Sequence, residues 1–141
     1  METKKQILLW LDDWRDPMDP EIDWLVFSPI GRDVEIVWVK SYKEFTAYIT
    51  ANGLPDGICF DHDLGKLTEV EMRKLGYSKE EARKRKNMEL TGYDCAKWLT
   101  EYCMDNNIKQ LPKWNIQSSN EAGKANIDGL LKNFKKFLEN N

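Results

Sequence analysis

Two short apolar runs end abruptly in ionisable side chains: Ile7-Leu8-Leu9-Trp10-Leu11 runs into Asp12-Asp13, and Gly57-Ile58-Cys59-Phe60 into Asp61-His62-Asp63. If the two ends are neighbours, at least three carboxylates share one crevice, where like charges repel unless a cation or shared protons relieve them. A hard divalent metal, Mg²⁺ or Mn²⁺, is the simplest relief, with Asp12, Asp13 and Asp61 as its ligands. It would polarise phosphoryl oxygens and acidify a bound water. Asp63 and His62 then stand where a proton can be received or returned. His62 is the only histidine, so any imidazole chemistry at neutral pH falls to it. The competing assignments are ordinary ones. Loop aspartates cap turns, and alternation along an extended segment turns His62 away from the side shared by Asp61 and Asp63.

A phosphate site is suggested further along. Ser118-Ser119-Asn120 closes the last apolar run and leads into Glu121-Ala122-Gly123-Lys124-Ala125-Asn126. Free N–H groups at a helix start, hydroxyls before it and Lys124 in the first turn suit an anion, although N-capping by Ser119 or Asn120 explains the same residues. It is not a P-loop, because Ala125 follows Gly123-Lys124 and Ser118 stands where the first glycine is required. Arg15, three residues past Asp12, offers a planar fork to phosphate, and Lys40 a point charge. Among the tryptophans, Trp38 and Trp98 fall in apolar patterns that predict core packing, whereas Trp14 and Trp24 are placed to stack on a base.

The elements that must position these groups follow from periodicity. Continuous apolar runs read as buried parallel strands with helices over both faces of the sheet, and ligands in such folds bind beyond the carboxyl ends of the strands. The capping pattern Ser/Thr-x-x-Asp/Glu occurs at Ser41/Glu44, Thr68/Glu71, Ser78/Glu81 and Thr91/Asp94, each predicting a helix start. Helical faces follow at Cys95, Trp98, Leu99, Tyr102 and Cys103, and at Ile127, Leu130, Leu131, Phe134 and Leu138. The predicted order is strand 6–11, an irregular stretch 12–33 containing Pro17, Pro20, Pro29 and Gly31, strand 34–39, helix 41–51, strand 57–61, insertion 64–90, helix 91–106, strand 114–118 and helix 121–139. This is an α/β fold, an open parallel sheet of about four strands with right-handed crossovers. The insertion carries Arg73, Lys74 and the run Arg83-Lys84-Arg85-Lys86, and reads either as a basic helical lid or as a solvated pair of surface helices.

Residues 1–141 are one domain's worth of chain. A formal net charge of −3 provides no global field for duplex DNA or an anionic membrane, so phosphate binding must be local. Cys59, Cys95 and Cys103 have no metal-type spacing and leave an odd count, which fits a reducing cytoplasm; no signal peptide or membrane-spanning run is expected.

The series Leu11-Asp12-Asp13-Trp14-Arg15-Asp16-Pro17, Phe60-Asp61-His62-Asp63-Leu64-Gly65, Thr91-Gly92-Tyr93-Asp94 and Ser118-Ser119-Asn120-x-x-Gly-x-Ala-Asn126-Ile127 resembles the cyclic-phosphate processing receiver domain family over nearly the whole chain. That family is related to the receivers of two-component response regulators. The resemblance implies a receiver-like (flavodoxin-like) fold, with Asp12 and Asp13 as metal acids, Asp61 in the phosphoacceptor position and Ser118 or Ser119 as the hydroxyl after the fourth strand. A receiver's lysine after a fifth strand has no equivalent, since Lys124 lies in a helix. The function implied is processing of a cyclic phosphate, carried by a nucleotide or an RNA end. Residue chemistry and resemblance together lead to a metal-dependent phosphoesterase. Its rivals are sequestration of a cyclic nucleotide or phosphorylated signal without cleavage, and a degenerate receiver serving as an interaction module.

Overall fold

The computed structural model describes residues 5–13, 15–61, 64, 73–74, 76–81, 90–118 and 120–140. Strands β1 (Gln6–Leu11), β2 (Val34–Val39), β3 (Gly57–Phe60) and β4 (Lys113–Ile116) form one parallel sheet in the order β2-β1-β3-β4. Its helices include α1 (Trp24–Phe27), α2 (Tyr42–Asn52), α3 (Gly92–Asp105) and α4 (Glu121–Glu139). Each predicted strand is present, with the last two ending one and two residues earlier than expected. Most of the 64–90 insertion, including the Thr68/Glu71 signature and Arg83-Lys84-Arg85-Lys86, lies outside the described residues.

Alternation along the central strands divides the core in two. Leu9, Leu11, Ile58, Phe60 and Ile116 point to one face, where Phe45 and Ile49 of α2, Cys95, Leu99 and Cys103 of α3, and Ile127, Leu131 and Phe134 of α4 pack against them. Leu8, Trp10 and Cys59 point to the other, covered by Ile22, Trp24, Phe27 and Ile30. The flanking helices and the irregular first crossover are both present, unequally divided between the faces. Three long helices share one face, and a largely irregular crossover with a single helical turn covers the opposite one. Proline spacing explains this, since Pro17, Pro20 and Pro29 leave no room for a longer helix. Close packing replaces it: Gly57 has no Cβ, and one built there would meet Ile30 at 3.1 Å and Pro29 at 3.2 Å.

Helix starts form as their side chains dictate. Ser41 accepts from the Glu44 amide (3.1 Å), Ser78 from the Glu81 amide (3.1 Å), and Thr91 and Asp94 complete a reciprocal capping box. Gly53, at φ 85°, ends α2 in a conformation that side chains resist. Each large apolar side chain buried in this way contributes about 1.5–3 kcal/mol.

The sheet order also fixes where a ligand belongs. From β1 the chain crosses one way to β2 over the irregular face, and then back past β1 to β3 and β4 over the helical face. Right-handed connections require the covering layer to change face when the lateral direction reverses. The crevice between the ends of β1 and β3 is the topological switch point.

Candidate metal centre at the β1 and β3 ends

Asp12 and Asp13 leave β1 and Asp61 leaves β3, and these strands are hydrogen-bonded neighbours, with Trp10 opposite Cys59. One carboxylate oxygen from each of the three lies within 4.8 Å of the others. Asp12 is buried (1% exposed), while Asp13 and Asp61 are half-buried. Oxygen-only donors at this spacing suit a hard divalent cation, and among the described residues no soft ligand belongs to the group.

Asp12 is held from several sides. Its amide continues the ladder to the Val39 carbonyl (3.0 Å), and its own carbonyl accepts from the Trp38 indole (2.6 Å). Its Oδ1 accepts from the Arg15 amide (2.9 Å), the aspartate-turn geometry that competes with a ligand role for any loop aspartate. The turn leaves Oδ2 facing the Arg15 guanidinium at 4.0 Å. Capping engages Oδ1, so a ligand role for Asp12 would fall to its other oxygen.

Arg15 reaches further, donating from Nη1 to the Gln117 carbonyl (2.5 Å), while its own carbonyl accepts from the Trp10 indole (3.0 Å). It therefore stands at the rim between β1 and the end of β4. Lys40 is exposed, with its ammonium 4.3 Å from the centre of the Trp38 ring, and is linked to the rim through that indole. Ser118 is buried at the end of β4, where its hydroxyl accepts from the Asn120 amide (3.1 Å). Asn120, not a serine, caps α4, accepting from the Gly123 amide (2.9 Å). Lys124 lines a separate cavity of about 310 Å³ with Trp114, Glu121 and Asp128. His62, Asp63, Ser119 and Trp14 lie outside the described residues. Trp24 packs against the crossover-side core.

The cysteines are unsuited to nucleophilic work. Burial pushes the Cys59 thiol up to about 12 and Cys103 to about 11, and raises Cys95 as well, so none is a thiolate at neutral pH. Two residues contribute more than sequence reasoning assigned them. Trp38, read as core alone, also orients Asp12 through its N–H. Gln117, read only as the end of a strand, is 4% exposed and joins two strand ends.

No curated protein and no solved structure matches the chain. The sequence profile described as the cyclic-phosphate processing receiver domain matches residues 7–133, a span that includes all three clustered aspartates and nearly all of the sheet. With that match and acids grouped at the switch point of a four-stranded parallel sheet, the chain belongs to the cyclic-phosphate processing receiver domain family.

Proposed function

We propose that the protein is a divalent-metal-dependent phosphoesterase that opens a cyclic phosphate on a nucleotide or an RNA end. The observation that carries this reading is the grouping of Asp12, Asp13 and Asp61 oxygens within 4.8 Å at the β1–β3 crevice. These residues would hold Mg²⁺ or Mn²⁺, which when bound polarises phosphoryl oxygens and lowers the pKa of a coordinated water. The family match supports a phosphate-bearing substrate.

The chain's own residues divide the remaining work. Arg15, already beside Asp12, offers N–H donors to a non-bridging phosphate oxygen, and Ser118 follows β4 on the same side; Ser119, next in sequence, would add a second hydroxyl. Asp63 or His62 takes the proton from the attacking water and returns one to the leaving ester oxygen. One P–O ester bond forms no part of the product, one P–OH bond replaces it, and the ring opens to a phosphomonoester. Lys40 and Lys124 lie farther out and act through the local field rather than by contact.

The test is incubation of the full chain with Mg²⁺ or Mn²⁺ and 2′,3′- or 3′,5′-cyclic nucleotides, followed by ³¹P NMR. A phosphomonoester signal that is absent with Asp61→Asn supports the proposal. Recovery of every cyclic nucleotide unchanged contradicts it, and tight binding without turnover would support sequestration instead.

A further inference from the structure

We propose that Gln117 is a positioning residue that sets the separation of the carboxylate-bearing strand ends, an inference that rests on the metal site proposed above. Gln117 bonds to the residues immediately before both acid positions. Its amide donates to the Phe60 carbonyl (2.9 Å), next to Asp61, and its side-chain Nε2 donates to the Leu11 carbonyl (3.1 Å), next to Asp12. Its own carbonyl accepts from the Arg15 guanidinium (2.5 Å), and Arg15 in turn bonds Asp12 Oδ1 through its amide.

The side chain therefore spans from the end of β4 across β3 to β1, a strand that β4 does not touch in the sheet. Parallel strand ends that hold opposed like charges tend to splay, and a cross-strand amide resists this without adding charge. A second feature points the same way. Gln117 Oε1 is buried and finds no hydrogen-bond partner among the described residues, an arrangement that disfavours the fold unless the amide serves something else. At the other end of the sheet Asp56 makes a comparable tie, accepting from the Ile7 amide (2.8 Å) while its backbone joins Ile7 and Lys113, and there all its bonds stay within the fold.

Gln117→Met keeps the length and both backbone bonds but removes the side-chain tie. The Mn²⁺ affinity of the full-length parent and variant is read from the EPR signal of free Mn²⁺, and apo melting temperatures are measured in parallel. The expected result is an affinity loss of about tenfold or more, with apo melting little changed because a buried amide oxygen is removed as well. An affinity within about twofold of the parent overturns the proposal. Should the methionine variant not fold, Gln117→Asn, one methylene short of the Leu11 carbonyl, is held to the same two outcomes. If the parent binds no Mn²⁺, the metal site fails, and the positioning role is decided by hydrogen exchange on apo protein. Faster exchange at Asp12 and Gln117 in the variant, with α4 unchanged, upholds it; equal rates at all three overturn it.

Discussion

The rim formed by β1 and β3 and the flank formed by β4 and α4 both carry buried or half-buried aspartates, yet they treat negative charge in opposite ways. On the flank, Asp128 accepts from Lys132 (2.7 Å) and from the Trp114 indole (3.1 Å), so its charge is answered within the chain. Burial alone would raise its pKa, but those two bonds outweigh it and hold the carboxyl below its usual value. At the rim, three carboxylates face one another within 4.8 Å, with Arg15 at 4.0 Å from one oxygen. At an effective dielectric near 20, each like-charged pair at that spacing repels by on the order of 3 kcal/mol before screening. A carboxylate bonded to a lysine and an indole serves stability, whereas three carboxylates grouped this closely could hold a cation.

The difference predicts opposite signs for the same substitution. Asp61→Asn is expected to lower Mn²⁺ affinity by at least about 100-fold, since it removes a ligand rather than a supporting contact. The same change should raise the apo melting temperature by a few degrees as repulsion falls, and calorimetric titration with a thermal melt reads both; a fall in apo melting would break the contrast. Arg15→Met should cost the apo protein about 1–2 kcal/mol through loss of the bond to the Gln117 carbonyl and of its charge beside Asp12. Saturating Mn²⁺ should recover part of that loss, measurable by denaturant unfolding with and without the ion. Thr91→Ala, which breaks a capping box remote from either region, should cost about 1 kcal/mol while leaving Mn²⁺ affinity unchanged. Asp128→Asn should destabilise by no more than about 1 kcal/mol. Because the folded pKa of Asp128 is lowered, its contribution is present above the unfolded carboxylate pKa and is lost as pH falls through the folded value. Parent and variant should therefore differ at neutral pH and converge only in acid, as unfolding curves across that range would reveal.

Much of this architecture is legible in the chain because local rules and tertiary needs agree. Apolar runs at Ile7–Leu11 and Gly57–Phe60 become neighbouring strands, Ser41 and Thr91 open helices, and the acids fall at the carboxyl edge where parallel folds bind ligands. Pairs that depend on distant packing are not legible. Nothing near Lys124 in sequence reveals that it would line a cavity with Trp114 and Asp128, because helix phase against the sheet decides which flank a first-turn residue occupies. Nor does periodicity show that three helices would share one face: the lateral order of the strands puts α2 and α3 there, and packing against α3 brings α4 to the same side. The tie made by Gln117 spans 106 residues of sequence and appears only when β4 is placed beside β3.

The most direct test of the central claim, that the clustered acids hold one divalent cation, is calorimetric titration of the full chain with Mn²⁺. Saturable binding of a single ion, displaced by Mg²⁺ and lost in Asp61→Asn, is the predicted result. No saturable binding, or binding that Asp12→Asn and Asp61→Asn leave unaltered, would contradict it.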